Sequence, residues 1–188
     1  LLARRIKGCL DGVVGAASVG DGASSTGSFH EAMNTAAVER LPLVVVLTNN
    51  QFAYSTPTDR QFACKSLVDR AVGYGVPGYE VDGTDLTATL RVISEAVRNA
   101  REGGGPQLVV ANALRLSGHG EHDDASYVPE QLRKSPLGRD CMEVAEHQLL
   151  STGLITEAEL LAWREEATED VQAAVAQAQQ EPAPDPFA

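Results

Sequence analysis

Two apolar runs near the start of the chain are patterned as neighbouring strands of one sheet. The runs cover residues 13–19 (VVGAASV) and 43–47 (LVVVL), and each predicts a buried strand. A helical stretch over about residues 26–41 separates them, giving a strand–helix–strand unit of roughly 30 residues, the size of one parallel crossover. Both strands are therefore expected to end at the same edge of a parallel sheet.

Further strands and helices alternate along the rest of the chain. A short helix ending at Gly75, an edge-like strand, a long helix and another buried strand are predicted over 66–74, 78–83, 85–101 and 107–113. The long helix begins at the N-cap Asp85, and we expect its apolar face to carry Leu86, Leu90, Ile93 and Val97. Residues 115–129 form a polar loop whose length is typical of functional loops.

The C-terminal third has a helical pattern. Helices are predicted over 136–150 and 156–180, and Thr156 with Glu159 forms a capping-box pattern at the start of the second. The order of elements indicates an α/β fold, with a parallel sheet flanked by helices and a helical C-terminal appendage. We divide the chain into an α/β domain (1–135), the appendage (136–180) and an extended tail (181–188).

Composition narrows the classes of function. The net charge of −11 argues against nucleic acid or an anionic membrane surface as a partner. No stretch approaches the roughly 20 apolar residues of a membrane span. Cys9, Cys64 and Cys141 are scattered without metal-binding spacing, which favours free thiols in a reducing compartment and predicts a cytoplasmic protein.

Polar motifs follow both of the first two strands. Gly20-Asp21-Gly22-Ala23 follows the first, and Asn49-Asn50-Gln51-Phe52 follows the second. The carboxylate of Asp21, the side-chain amide oxygen of Asn50 and the backbone carbonyl of Phe52 are oxygen ligands of the kind that Mg²⁺ takes together with substrate phosphates. The alternative interpretations, which involve no ligand, are an Asp-Gly turn for Asp21 and an Asx-turn for Asn50.

The glycines of the first motif and the helix after it favour a phosphate group. Gly20 and Gly22 lack a β-carbon, so we expect close approach of a phosphate and unusual backbone dihedrals there. The following helix, entered through residues 24–26, presents its N-terminal N–H groups at the same place. The predicted ligand is therefore a metal-bound diphosphate.

The two motifs, at this spacing, resemble the Gly-Asp-Gly and Asn-Asn signature of thiamine diphosphate enzymes. Residues 20–37, 49–58, 81–85 and 114–119 are, in that order, similar to the alpha subunit of the decarboxylating component of 2-oxo acid dehydrogenase complexes. The resemblance is to the C-terminal part of that subunit. Residues 1–6 read as the end of a helix, so we expect the first part of the cofactor-binding domain to be missing from this chain.

The resemblance implies an enzyme that decarboxylates a small 2-oxo acid and passes the acyl group to lipoamide. It implies thiamine diphosphate and Mg²⁺ as cofactors, held by Gly20, Asp21, Gly22, Ala23, Asn50, Phe52, Arg115 and His119. It also implies a beta subunit in an α2β2 heterotetramer, which supplies the carboxylate that activates the cofactor, and a lipoyl-bearing acyltransferase as a further partner. In this chain alone, no acidic residue can be assigned to that activating role.

His119 is the titratable residue of greatest interest, although a lone loop histidine is more often a surface residue. The resemblance gives it a catalytic role beside the cofactor phosphate, and an imidazole can donate to phosphate or move a proton. Arg115 either pairs with Asp123 or Asp124 or organises the loop near phosphate. Gly120 stands where mitochondrial relatives carry a phosphorylated serine, which favours a bacterial enzyme.

Three alternatives stay open. An acetoin dehydrogenase-type alpha subunit would use the same cofactor on a different ketone. A transketolase-like carbon transfer fits the loop around His119 less well. A non-catalytic half-subunit that only assembles is the third, against which the intact pair Asp21 and Asn50 argues. These residues do not reveal the substrate pocket, so they do not identify the 2-oxo acid.

Overall fold

A parallel sheet carries the two polar motifs at its edge. The computed structural model describes residues 1–9 and 11–185. Within them, the strands are β1 (Gly15–Gly20), β2 (Leu43–Asn49), β3 (Phe52–Ala53), β4 (Thr56–Pro57), β5 (Gly78–Asp82) and β6 (Gln107–Asn112). The parallel sheet has the order β1-β2-β6-β5, while β3 and β4 form a small antiparallel hairpin. The predicted α/β class and the edge position of β5 are confirmed.

Helices connect the strands and continue beyond the sheet. They are α1 (Leu2–Ile6), α2 (Gly27–Val38), α3 (Asp69–Tyr74), α4 (Leu86–Asn99), α5 (Glu130–Arg133), α6 (Cys141–Ser151) and α7 (Glu157–Gln180). Helix α2 joins β1 to β2, and α4 joins β5 to β6, so both are crossovers between parallel strands. None of the helices in the described part of the chain has the length and apolar character needed to cross a membrane.

The two faces of the sheet bury separate apolar clusters. Side chains of α2 and α3 cover one face, where Met33 packs with Leu47 and Leu108. Helix α4 covers the other face through Ala96, together with Ala100 at its C-cap. Because successive strand residues point to opposite faces, the continuous apolar runs of β2 and β6 supply both clusters.

Two predictions of burial were wrong. Strand β1 was expected to be buried, but residues 16–18 are exposed, because β1 lies at the edge of the sheet. On α4, Ile93 and Val97 pack against the sheet as predicted, but Leu86 and Leu90 are exposed. Ala96, and Ala100 just after the end of the helix, are completely buried against the sheet.

Several helix boundaries differ from the predicted ones for local reasons. Helix α3 begins at Asp69 rather than residue 66, because Ser66 is held in a turn by the Asp69 carboxylate at 2.9 Å from its N–H. Residues Pro136–Gly138 form only a 3-10 turn, and α6 begins at Cys141 after the extended Arg139. Helix α4 ends in a turn of π-helix, Ala100–Gly104, rather than running regularly to residue 101.

The chain separates into two compact units, Leu1–Ala145 and Glu146–Ala188. In the second unit, α7 begins with the predicted capping box, in which Thr156 and Glu159 bond each other's backbone N–H groups. Arg164 of α7 forms a salt bridge with Glu146. Residues 181–185 are exposed and lie outside any helix or strand, whereas residues 186–188 of the predicted tail fall outside the described residues.

Candidate functional site

The structure brings the two polar motifs together at the carboxyl ends of β1 and β2. Gly20 is in register with Thr48, and the backbone N–H of Asp21 donates to the Thr48 carbonyl at 3.1 Å. Asn50 follows the end of β2 directly. Ligands of open α/β sheets bind at this edge, outside the carboxyl ends of the strands. The two motifs, which are far apart in the sequence, therefore lie close together in the fold.

The Asp21 carboxylate is almost fully buried, with 1% of the residue exposed. Its Oδ2 accepts a hydrogen bond from Nε2 of Gln61 at 2.8 Å. The same nitrogen donates to the Thr56 carbonyl at 2.9 Å. Gln61 Oε1 is buried and has no hydrogen-bond partner among the residues that the structure describes. Sequence reasoning missed Gln61, because nothing in its neighbourhood in the chain marks it as lying beside Asp21.

Asn50 and Phe52 shape the turn after β2. Asn50 Oδ1 accepts from the Phe52 N–H at 3.1 Å, so the Asx-turn considered for Asn50 is present. The Phe52 side chain is buried against Leu114 and Val128. Only the backbone of Phe52 can therefore provide a polar group to a ligand. Among the described residues, no group of three or more His, Cys, Asp or Glu side chains could hold a metal ion. The predicted set differs in kind, since it has a single carboxylate.

Asn49 braces the sheet edge rather than pointing to a ligand. Its Nδ2 donates to Oδ1 of Asn112 at 2.8 Å, across the pair of strands β2 and β6. Asn49 therefore has a structural role at this edge. This bond fixes the end of β2 immediately before Asn50.

The turn after Asp21 is tight but has ordinary backbone angles. Gly22 is right-handed helical, and neither Gly20 nor Gly22 has a positive φ, so the predicted unusual dihedrals were wrong. Gly22 is instead required by space, because an added Cβ would lie 2.6 Å from the Ala53 Cβ. At Gly20 an added Cβ would meet nothing within 4 Å. Ala23 opens the 3-10 turn Ala23–Ser25, which precedes the N-cap Thr26 of α2.

Arg70 of α3 holds this turn from behind. Its guanidinium donates to the carbonyl and the hydroxyl of the buried Ser24, the second at 2.8 Å, and to the Ser25 hydroxyl at 3.3 Å. The Ser24 hydroxyl donates in turn to the Asp21 carbonyl at 2.6 Å. Arg70 is a second residue that sequence reasoning missed, because the fold alone places α3 behind the turn.

The loop that carries His119 is tied to the segment after Asn50. The Arg115 N–H donates to the Asn50 carbonyl at 3.4 Å, and the Arg115 guanidinium donates to the Tyr54 carbonyl at 2.8 Å. The Tyr54 ring meets the His119 ring edge-on at 5.5 Å between centroids. Arg115 Nη2 also lies 3.4 Å from His119 Nδ1. The structure thus brings Asn50, Arg115 and His119 together.

Asp123 organises the same loop. Its carboxylate accepts from the His119 backbone N–H at 2.6 Å, from the Ala125 N–H at 2.9 Å and from the Tyr127 hydroxyl at 2.8 Å. These bonds, led by that from His119 and aided by Arg115 at 4.0 Å, outweigh the effect of burial and lower the Asp123 pKa to about 2.

Of the two partners considered for Arg115, the structure selects Asp123. Asp124 bonds the Ser126 N–H at 2.9 Å instead. The Arg115 side chain is largely buried, and within the described part of the chain its Nε is a buried donor without a partner.

Comparison with known proteins decides the family. The family model described as "Dehydrogenase E1 component" matches residues 2–187. The chain belongs to the dehydrogenase E1 component family. In this member of the family, the motifs Gly20–Ala23 and Asn49–Phe52 lie at the ends of two parallel strands.

Relatives within the E1 family carry several names. The alpha subunit of acetoin:2,6-dichlorophenolindophenol oxidoreductase from Cupriavidus necator is 39% identical over 98% of this chain and 55% of its own length. The 2-oxoisovalerate dehydrogenase alpha subunit of Bacillus subtilis is 36% identical over 81% and 49%. The pyruvate dehydrogenase E1 alpha subunit of Rhizobium meliloti is 34% identical over 92% and 50%. The chain spans about half the length of these relatives.

Proposed function

We propose that this chain forms part of the alpha subunit of a thiamine diphosphate-dependent 2-oxo acid dehydrogenase and holds the Mg²⁺-diphosphate end of the cofactor. The observation that carries the proposal is that Asp21 and Asn50 follow the ends of adjacent parallel strands. The hydrogen bond from the Asp21 N–H to the Thr48 carbonyl holds these two strand ends together. Membership of the E1 family and the names of the relatives support it. Because this chain spans about half the length of those relatives, we propose the activity for the whole protein.

Two unsatisfied polar atoms fit the proposed ligand. Gln61 Oε1 is a buried acceptor without a donor, and it belongs to the amide that contacts the Asp21 carboxylate. Arg115 Nε is a buried donor without an acceptor, in the loop that carries His119. Buried polar groups are usually paired, so unpaired ones call for an explanation. A hydrated cation beside Gln61 and a phosphate beside Arg115 would provide the missing partners.

The proposed ligands each have a distinct task. Asp21 supplies an anionic oxygen to Mg²⁺, while Asn50 and the Phe52 carbonyl supply neutral ones. Gly20 and Gly22 let the backbone of the turn approach the diphosphate, and Ala23 begins the 3-10 turn that follows them. When bound, thiamine diphosphate supplies the carbanion chemistry of decarboxylation.

His119 and Arg115 act at the phosphate side of the site. Arg115 fixes the loop through Tyr54 and contributes positive charge toward the diphosphate. The edge-on Tyr54 ring and the Asp123 bond to the His119 backbone limit the positions that the imidazole can take. His119 is proposed as the catalytic residue of this chain, donating to phosphate and moving a proton during acyl transfer.

The proposed partners follow from the designation of the relatives as alpha subunits. A beta subunit completing an α2β2 heterotetramer would provide the carboxylate that activates the cofactor. A lipoyl-bearing acyltransferase would accept the acyl group, and a small 2-oxo acid would be the substrate. A cytoplasmic location and a bacterial origin stay predictions from the sequence.

An acetoin dehydrogenase-type alpha subunit is the second candidate. It is favoured by the relative from Cupriavidus necator, which matches 98% of this chain. The two candidates use the same cofactor and differ in the ketone attacked. Assaying the full-length protein with its beta subunit on acetoin, pyruvate and branched-chain 2-oxo acids separates them by the substrate that is consumed.

Replacing the proposed metal ligand tests the function. In the full-length protein, Asp21→Ala should weaken thiamine diphosphate binding in the presence of Mg²⁺ by at least about 100-fold, more than the loss of a typical outer partner of a metal ligand. Isothermal titration calorimetry measures this, with Asp170→Ala on the exposed surface of α7 as the control. Unchanged affinity in Asp21→Ala would refute the proposal and favour a non-catalytic assembly role.

A further inference from the structure

Gln61 is the residue that most directly contacts the proposed metal ligand. Its amide lies against one oxygen of the Asp21 carboxylate, Oδ2, at 2.8 Å. Among the described residues, no hydrogen bond reaches the other oxygen, Oδ1. One oxygen of a buried carboxylate is thus held by a protein donor, and the other is available to a ligand.

Two hydrogen bonds fix the orientation of the Gln61 side-chain amide, and a third fixes its backbone. Nε2 uses one N–H for Asp21 and the other for the Thr56 carbonyl of β4. The Gln61 backbone carbonyl accepts from the Ser25 hydroxyl at 3.3 Å. Both acceptors around Nε2 require a donor, so the amide cannot be turned over without losing two bonds. Oε1 therefore stays on the opposite side, where it is buried and unpartnered.

Holding one carboxylate oxygen changes which cation the other can take. Mg²⁺ requires near-octahedral geometry at short distances and is usually bound by one oxygen of each carboxylate. Ca²⁺ is larger and accepts bidentate carboxylates. A cation shared between both oxygens of Asp21 would have to approach Oδ2 beside an N–H group that already occupies it, and that N–H repels positive charge.

We propose that Gln61 is a positioning residue that keeps Asp21 monodentate and so sets the site's preference for Mg²⁺ over Ca²⁺. The inference rests on the proposed function, since it assumes a cation at Asp21. Outer partners of this kind orient the ligands they contact and tune metal affinity.

The test compares two cations in the full-length protein, in its native assembly and with saturating thiamine diphosphate. Mg²⁺ and Ca²⁺ are titrated separately by calorimetry into wild type and Gln61→Met, which has similar length but no donor. We expect Mg²⁺ affinity to fall by about 10-fold or more. Ca²⁺ affinity should stay the same or rise, because Oδ2 becomes available for chelation. Gln131→Met, at an exposed position of α5, should change neither.

An equal loss for both cations would show a merely structural role and overturn the inference, as would an unchanged Mg²⁺ affinity. Gln61→Asn provides the second variant, since its amide is too short to reach Asp21; it should shift the preference in the same direction even if the Met variant does not fold. The proposed function fails separately if the wild-type protein binds neither cation with the cofactor. If wild type binds Mg²⁺, Asp21→Ala does not, and Gln61→Met keeps the wild-type preference, only the inference about Gln61 fails.

Discussion

At the scale of single residues, the site contains buried polar groups that lack some of their hydrogen-bond or charge partners. A buried carboxylate is costly unless it is paired, and Asp21 has only a neutral amide donor on its side chain. A cation at its other oxygen would balance that charge. Asn50 and Arg115 are held within reach of the same edge by backbone contacts. The chemistry of the site is therefore concentrated in a few residues that the two loops position.

The ionisation of Asp123 gives a prediction at this scale. Its pKa of about 2 lies below the ordinary value of about 3.9, so the ionised carboxylate stabilises the folded loop. That stabilisation is fully present above about pH 4 and is lost as the pH falls toward about 2. Carbon-13 NMR of the Asp123 carboxyl, assigned by its absence in Asp123→Asn, should show a midpoint near 2. A midpoint near the ordinary value would mean that the contacts to His119 and Tyr127 do not form in solution.

At the scale of elements, the two central strands hold the site in place. Strands β2 and β6 lie between β1 and β5, and their side chains fill both apolar clusters. The end of β2 is fixed on one side by the bond from Asp21 to Thr48 and on the other by the bond from Asn49 to Asn112. The position of Asn50 therefore depends on the packing of the strands, and a substitution that disturbs this packing should also displace Asn50.

Truncation of a central side chain tests this dependence. Leu108 of β6 is completely buried, so Leu108→Ala should reduce the free energy of unfolding by about 2–5 kcal/mol. Leu90→Ala on the exposed side of α4, where 63% of the residue is accessible, should change it by about 0.5 kcal/mol or less. Denaturant unfolding measures both. Equal effects would contradict the arrangement of the core described above.

The sequence predicted the elements better than their environment. Apolar runs and caps located the strands of the parallel sheet and α7, because periodicity and capping are local properties, whereas the hairpin of β3 and β4 was not predicted. The exposure of β1 could not be read from its residues, since an edge strand and a central strand share the same apolar pattern. Asp21, Asn50, Arg115 and His119 were marked by motifs, whereas Gln61 and Arg70 reach the site only through the fold.

At the scale of the whole molecule, this chain holds one side of a proposed shared site. Its first compact unit contains a candidate phosphate-binding turn, a candidate metal site and the loop that carries His119. The chain spans about half the length of relatives that are named as alpha subunits. We accordingly expect catalysis to require the full-length protein and a beta subunit, with the cofactor bound where the two subunits meet.

Native mass spectrometry of the full-length protein, purified with its partner, tests the central claim most directly. Spectra are recorded with Mg²⁺ and thiamine diphosphate present, and again after the cation is removed by chelation. We expect a hetero-oligomer that retains the mass of the cofactor only while Mg²⁺ is present. A lone chain that carries no cofactor in either condition would contradict the account, because Asp21 and Asn50 would then hold no metal-bound diphosphate.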